Sequence, residues 1–237
     1  MSTYILIHGA WQGGWCWNKV ATLLEQAGHN VIAPDLPSHG NDQTPISEVT
    51  LQSYVDRVYE ILKTQAEPVI LVGHSMGGIV ITQAAEYYPD KIEKLVYVCA
   101  FLPRNGESLM DWAQPDSEAL VLPNAIVSED RSYLTFKDEA IEDTFYGDCF
   151  AQDVAKSKSL LCPQALAPLQ TPVNTTAANF GRVPRVYIEC LQDRAISISV
   201  QRQMQAALPC HLAMAMDTSH SPFLSHPKVL VNNLSSL

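Results

Sequence analysis

A chain of 237 residues, 47% hydrophobic and 17% charged, is long enough to bury a substantial core as one domain or one domain with a large insertion. Its formal net charge of -10 argues against a nucleic-acid partner, which would need clustered Lys and Arg to neutralise phosphates. No stretch approaches the roughly 18 to 20 apolar residues of a membrane helix, so no membrane partner is expected.

The first apolar run, YILIHG, lacks a preceding basic segment and reads as a buried strand rather than a signal peptide. A helix over CWNKVATLLEQAG follows, with Gly28 as its stop. NVIAPD is the second strand. The helix LQSYVDRVYEILKTQ places Leu51, Val55, Val58 and Leu62 on one face. PVILVGHS is the third strand, GGIVITQAAEYYP a helix ended by Pro89, and IEKLVYVCAFLP the fourth strand. This alternation is the pattern of parallel strands joined by crossover helices.

From about Pro103 to Arg182 the alternation breaks into Pro-, Asp- and Ser-rich sequence with short helical patterns such as DEAIEDTFYG and DVAKSKSLL, and no strong strand. It resumes with the strand RVYIECLQD, the helix SVQRQMQAAL, the strand CHLAMAMD and a final helix near PKVLVNNLSSL. The expectation is an α/β core of residues 1–102 and 183–237 around a mainly parallel six-stranded sheet, with 103–182 as an inserted helical cap. An insertion at the carboxyl ends of the strands would cover the crevice where such sheets bind ligands. The cysteines Cys16, Cys99, Cys149, Cys162, Cys190 and Cys210 form no CxxC pair; read as reduced core thiols, they imply a cytoplasmic location.

VGHSMGG sets Ser75 between Gly73 and Gly77, at the passage from an apolar strand to a helix. A serine hydroxyl needs a base to take its proton and donors for the oxyanion formed when it attacks a carbonyl. A Gly-x-Ser-x-Gly turn meets both needs: it lifts the serine clear of the sheet and aims helix N-terminal amides at the developing charge. The order expected for such a site is serine, acid, histidine. Among seven histidines, His220 directly follows the last strand in MDTSHSPF, whereas His8, His29, His39, His74, His211 and His226 fit turn, strand-end or surface roles. Asp193 follows the preceding strand and would fix the His220 tautomer; Asp217, three residues before His220, is its structural competitor. The oxyanion donors are the backbone amides of Met76 and of Ala10 in the Gly-rich HGAWQGGW. No dinucleotide, phosphate-loop, HExxH or paired-cysteine motif occurs, so neither cofactor nor metal is expected.

With these elements in order, the chain resembles an α/β-hydrolase. More narrowly it resembles the group of plant methylesterases, hydroxynitrile lyases and bacterial pyrethroid-hydrolase-like esterases, through HGAWQGGWCW, APDLPSHG, VGHSMGG, FYGDC, VYIECLQDRAI and QRQM. The resemblance implies a helical cap over the site and Ser75, Asp193 and His220 as its triad. Hydroxynitrile lyases carry a threonine after the first-strand histidine and a lysine after the catalytic histidine; Gly9 and Ser221 stand there instead. The expected activity is hydrolysis of small or medium carboxylic esters through an acyl-enzyme. The alternatives are a cyanohydrin lyase and a ligand-binding or receptor protein on a hydrolase scaffold. Trp112, Tyr133, Phe136, Phe145 and Tyr146 are candidates for an apolar substrate pocket, and exposed apolar surface on the insertion would support a homodimer.

Overall fold

A computed structural model describes residues 1–237. The first core strands are β1 (Thr3–Ile7), β2 (Asn30–Ile32), β3 (Val69–His74) and β4 (Ile92–Val98). Between β4 and the remaining core strands lie β5 (Ala125–Val127), β6 (Tyr133–Phe136) and β7 (Gln164–Ala165), and the core sheet resumes with β8 (Arg185–Cys190) and β9 (Leu212–Met216). The six core strands run in the order β2-β1-β3-β4-β8-β9, every neighbouring pair parallel. All six expected strands are present, in a wholly parallel sheet.

Burial explains why the central strands read as unbroken apolar runs. Every residue of β3 and of β8 is buried, because helices cover both faces of the sheet, whereas the edge strands β2 and β9 stay partly exposed. The crossover helix Leu51–Leu62 buries Leu51, Val55, Val58 and Leu62 as its periodicity predicts, and Thr50 and Ser53 close its start as a reciprocal cap. Gly28 stops the helix Asn18–Gln26 with a φ of 87°, open to glycine at little cost. No helix is long and apolar enough to cross a membrane.

Parallel pairing has one consequence for the site. Each strand ends at the same edge of the sheet, so the segments that follow β1, β3, β8 and β9 converge although they are far apart in sequence. His8 to Ala10, Ser75, Asp193 and His220 all belong to those segments.

The stretch 103–182 differs from the expectation in one respect. The helices Asp138–Phe145 and Ala151–Leu160 form where the helical patterns lie, but β5, β6 and β7 also pair into a small antiparallel sheet. Strands of three, four and two residues are too short for alternation to register in sequence. Leu134, Ile141, Phe145, Val154 and Leu169 of this stretch join the same buried cluster as the core strands.

The turn after β3 is tight. Ser75 adopts a φ of 52°, a left-handed conformation that costs a non-glycine residue on the order of 1–3 kcal/mol and persists only where its surroundings enforce it. They do so through backbone bonds: Phe101 N–H and Gly78 N–H each donate to the Ser75 carbonyl at 3.1 Å. The flanking glycines are required by close approach. A Cβ on Gly73 would sit 2.7 Å from the Gly77 carbonyl oxygen, and one on Gly78 would sit 2.1 Å from that of Phe101. Gly73→Ala should therefore lower unfolding stability by about 1–3 kcal/mol, measured by urea denaturation; an unchanged midpoint would show that the turn relaxes freely.

Candidate active site

Asp193 is a buried carboxylate whose acceptor sites are filled. Its Oδ1 accepts from the amides of Ala195 at 2.7 Å and Ile196 at 2.9 Å. Its Oδ2 accepts from Gln201 Nε2 at 3.2 Å and from His220 Nδ1 at 2.8 Å. A buried charge needs this degree of compensation, and the two amides come from the turn that Asp193 itself begins. Donation from Nδ1 leaves Nε2 of His220 as the free basic nitrogen.

Asp217 sits on the surface and accepts from Gln192 Nε2 at 2.9 Å. Arg194 pairs with Asp143 of the insertion and not with its neighbour Asp193.

His74 braces His220 from behind. Its Nε2 donates to the His220 carbonyl at 2.8 Å, the Cys99 thiol reaches the same carbonyl at 3.5 Å, and the two imidazole rings lie 4.5 Å apart. His8 lies further back, donating from Nδ1 to the Gly9 carbonyl and accepting the Leu36 amide on Nε2. Burial pushes the imidazole of His74 well below its ordinary range, and proximity to His220 pushes it further. Burial and the neighbouring His39 do the same for His8. His29 and His211 accept backbone amides near strand starts, and His226 lies at the surface beside Asp148.

Two pockets meet at Ser75. The larger encloses about 580 Å³ of space, its mouth included, and 15 of its 17 lining residues are hydrophobic, the exceptions being Ser75 and Asp116. Ala10 and Met76 line it beside Ser75. The smaller, of about 250 Å³, is bordered by Ser75, His220, His74, Gln12 and Tyr146. Of the five aromatic candidates, Phe145 borders both pockets and Tyr146 the smaller one. Phe136 packs behind against Trp11 and Phe145, Trp112 donates to Glu107, and Tyr133 belongs to β6.

Three polar residues at the site escape a reading of sequence alone. Gln12 donates to the Tyr146 hydroxyl at 3.4 Å while its buried Oε1 has no partner. Asp116 accepts the Ser197 amide on Oδ2 at 2.9 Å. Gln201, within the QRQM motif, anchors Asp193.

The sequence model of the alpha/beta hydrolase family matches residues 4–233. This chain belongs to that family. It is 34% identical over 240 residues to the pyrethroid hydrolase of Sphingobium wenxiniae, covering 98% of this chain and 85% of that protein. It is 31% identical over 249 residues to methylesterase 2 of Arabidopsis thaliana, covering 99% and 95% respectively. The crystal structure of a pyrethroid hydrolase from Sphingobium faniae superimposes with a TM-score of 0.90 at 31% identity, covering 99% of this chain and 96% of that one. The ester hydrolase class expected from the sequence is thus the class of these named relatives.

The neutral, buried histidines give the fold a defined pH dependence. Unfolding releases His8 and His74 to the ordinary imidazole value of 6.5, so below that pH the unfolded chain binds protons that the native state refuses. Stability is fully present above 6.5 and is lost as pH falls toward the depressed native values. The thermal midpoint should decline from about pH 7.5 to about pH 5 in scanning calorimetry; a flat profile there would contradict neutral burial.

Proposed function

We propose that the protein is a cofactor- and metal-free serine esterase acting on uncharged carboxylic esters through Ser75, His220 and Asp193. The observation that carries this reading is the imidazole of His220, tied to buried Asp193 and bordering the same small pocket as Ser75 in its strained turn.

His220 Nε2 takes the Ser75 proton as Oγ attacks the ester carbonyl, and the amides of Ala10 and Met76 receive the oxyanion. Collapse of the tetrahedral intermediate breaks the bond to the alcohol, which leaves with the proton from His220. Water then gives one proton to Nε2 and attacks the acyl carbon; collapse releases the acid and restores the Ser75 hydroxyl. Asp193 keeps the proton on Nδ1 throughout and stabilises the transient imidazolium. Six unpaired cysteines accord with a reducing, cytoplasmic setting.

The larger pocket supplies the substrate preference. Its apolar wall favours a hydrophobic acyl or alcohol group, and the Asp116 carboxylate opposes a second negative charge there. Ser75→Ala should lower turnover of a short p-nitrophenyl ester by on the order of a millionfold, with a chelator leaving the wild type unaffected; equal activity in the two proteins would reduce Ser75 to a turn residue. Asp116→Asn should raise kcat/KM for an ester carrying a distal carboxylate by about tenfold, leaving its uncharged counterpart nearly unchanged. A parallel change for both esters would remove Asp116 from the specificity of the site.

A further inference from the structure

The FYGDC segment of the insertion, Phe145–Cys149, lies against the loop that carries His220. The Phe145 ring stands 5.9 Å from the His220 ring. Asp148 accepts the Ser219 amide on Oδ2 at 3.0 Å and the Ser219 hydroxyl on Oδ1. On the other side of His220, the Cys149 thiol approaches the Ser221 carbonyl at 4.0 Å. The segment therefore brackets His220 through both of its chain neighbours.

The remaining restraints come from the core, and on the N-terminal side the nearest of them is the Gln192 amide, which donates to the Thr218 carbonyl at 2.9 Å, two residues before His220. Asp193 holds the ring, while His74 and Cys99 hold the carbonyl. The peptide entering His220 is held through Ser219, a residue only 6% exposed, by one carboxylate that reaches across from the insertion. Bonds to a carboxylate are stronger than those between neutral groups, and two of them on one residue fix its orientation as well as its position.

We propose that Asp148 is a positioning residue for His220, so that the insertion helps to set the base as well as enclosing the substrate. The proposal rests on the reading of His220 as the base that activates Ser75. Asp148 touches neither substrate nor reacting atoms; it acts by fixing where Nε2 stands relative to the Ser75 hydroxyl. A displacement of about 1 Å in such a group costs on the order of a hundredfold in rate, because the proton must pass along a short, aligned hydrogen bond. His226, whose Nδ1 lies 3.6 Å from Asp148 Oδ2, is the titratable group nearest this carboxylate in the loop region and is exposed.

The test uses p-nitrophenyl acetate, too small to fill the apolar pocket, together with a fluorophosphonate that labels an activated serine. Asp148→Ala should lower kcat by about tenfold to a hundredfold with KM within about twofold, and should slow labelling of Ser75 by the same factor. Asp148→Asn, which keeps one acceptor oxygen, should recover most of that loss. Ser219→Ala, which keeps the amide bond and loses the hydroxyl bond, should fall between Asp148→Ala and the wild type. A lowered thermal midpoint with kcat and labelling rate unchanged would overturn the proposal, leaving Asp148 a purely structural strap. If Asp148→Ala does not fold, the Asn and Ser219→Ala variants decide by the same criteria. Failure of the wild type itself to label at Ser75 would instead overturn the reading of Ser75 and His220 on which this rests.

Discussion

The left-handed turn at Ser75 is the constraint around which the rest of the molecule is arranged. A serine at a φ of 52° is strained, and the strain survives because the carbonyl of Ser75 receives two amides while glycines on either side let strand, helix and the Phe101 backbone meet at contact distance. The helix that follows is buried on nearly all sides, so it cannot yield to relieve the turn. A rigid sheet thus holds the half-buried Ser75 in a fixed place at the end of β3.

Parallel strand pairing brings the other segments there. Since β1, β3, β8 and β9 end at one edge, segments far apart in sequence meet there. The polar groups so gathered are then fixed by mutual satisfaction. Asp193 has donors on both oxygens, His220 has restraints on its ring and carbonyl, and His74, its pKa pushed down by burial, donates to that carbonyl. Removing one partner would leave a buried group without compensation, which is why the cluster behaves as a unit.

The stretch 103–182 forms much of the apolar wall of the larger pocket beside Ser75. It supplies Leu109, Met110, Val121, Leu134, Phe145 and the carboxylate of Asp116 to the larger pocket. It also reaches the His220 loop through Asp148, so the pocket wall and that loop meet in one short segment, Phe145–Cys149.

The sequence alone was enough for the features that local rules govern. Six apolar runs marked the six core strands, the face formed by Leu51, Val55, Val58 and Leu62 proved buried, and Gly28 proved to end its helix. Each of Ser75, Asp193 and His220 follows an apolar run, which is why the sequence offers them as candidates, whereas the strand order β2-β1-β3-β4-β8-β9 came only from the structure. What only the tertiary structure decided lies in contacts that no local pattern encodes. Asp148 meets Ser219 across 71 residues, and Gln12 meets Tyr146 across 134. The antiparallel sheet of the insertion rests on strands too short to alternate, and Phe145, not Phe136 or Trp112, borders the pockets because of how the insertion packs. Periodicity reports which residues are buried within an element; which buried residues face one another depends on the packing of elements, and that is settled by the whole chain at once.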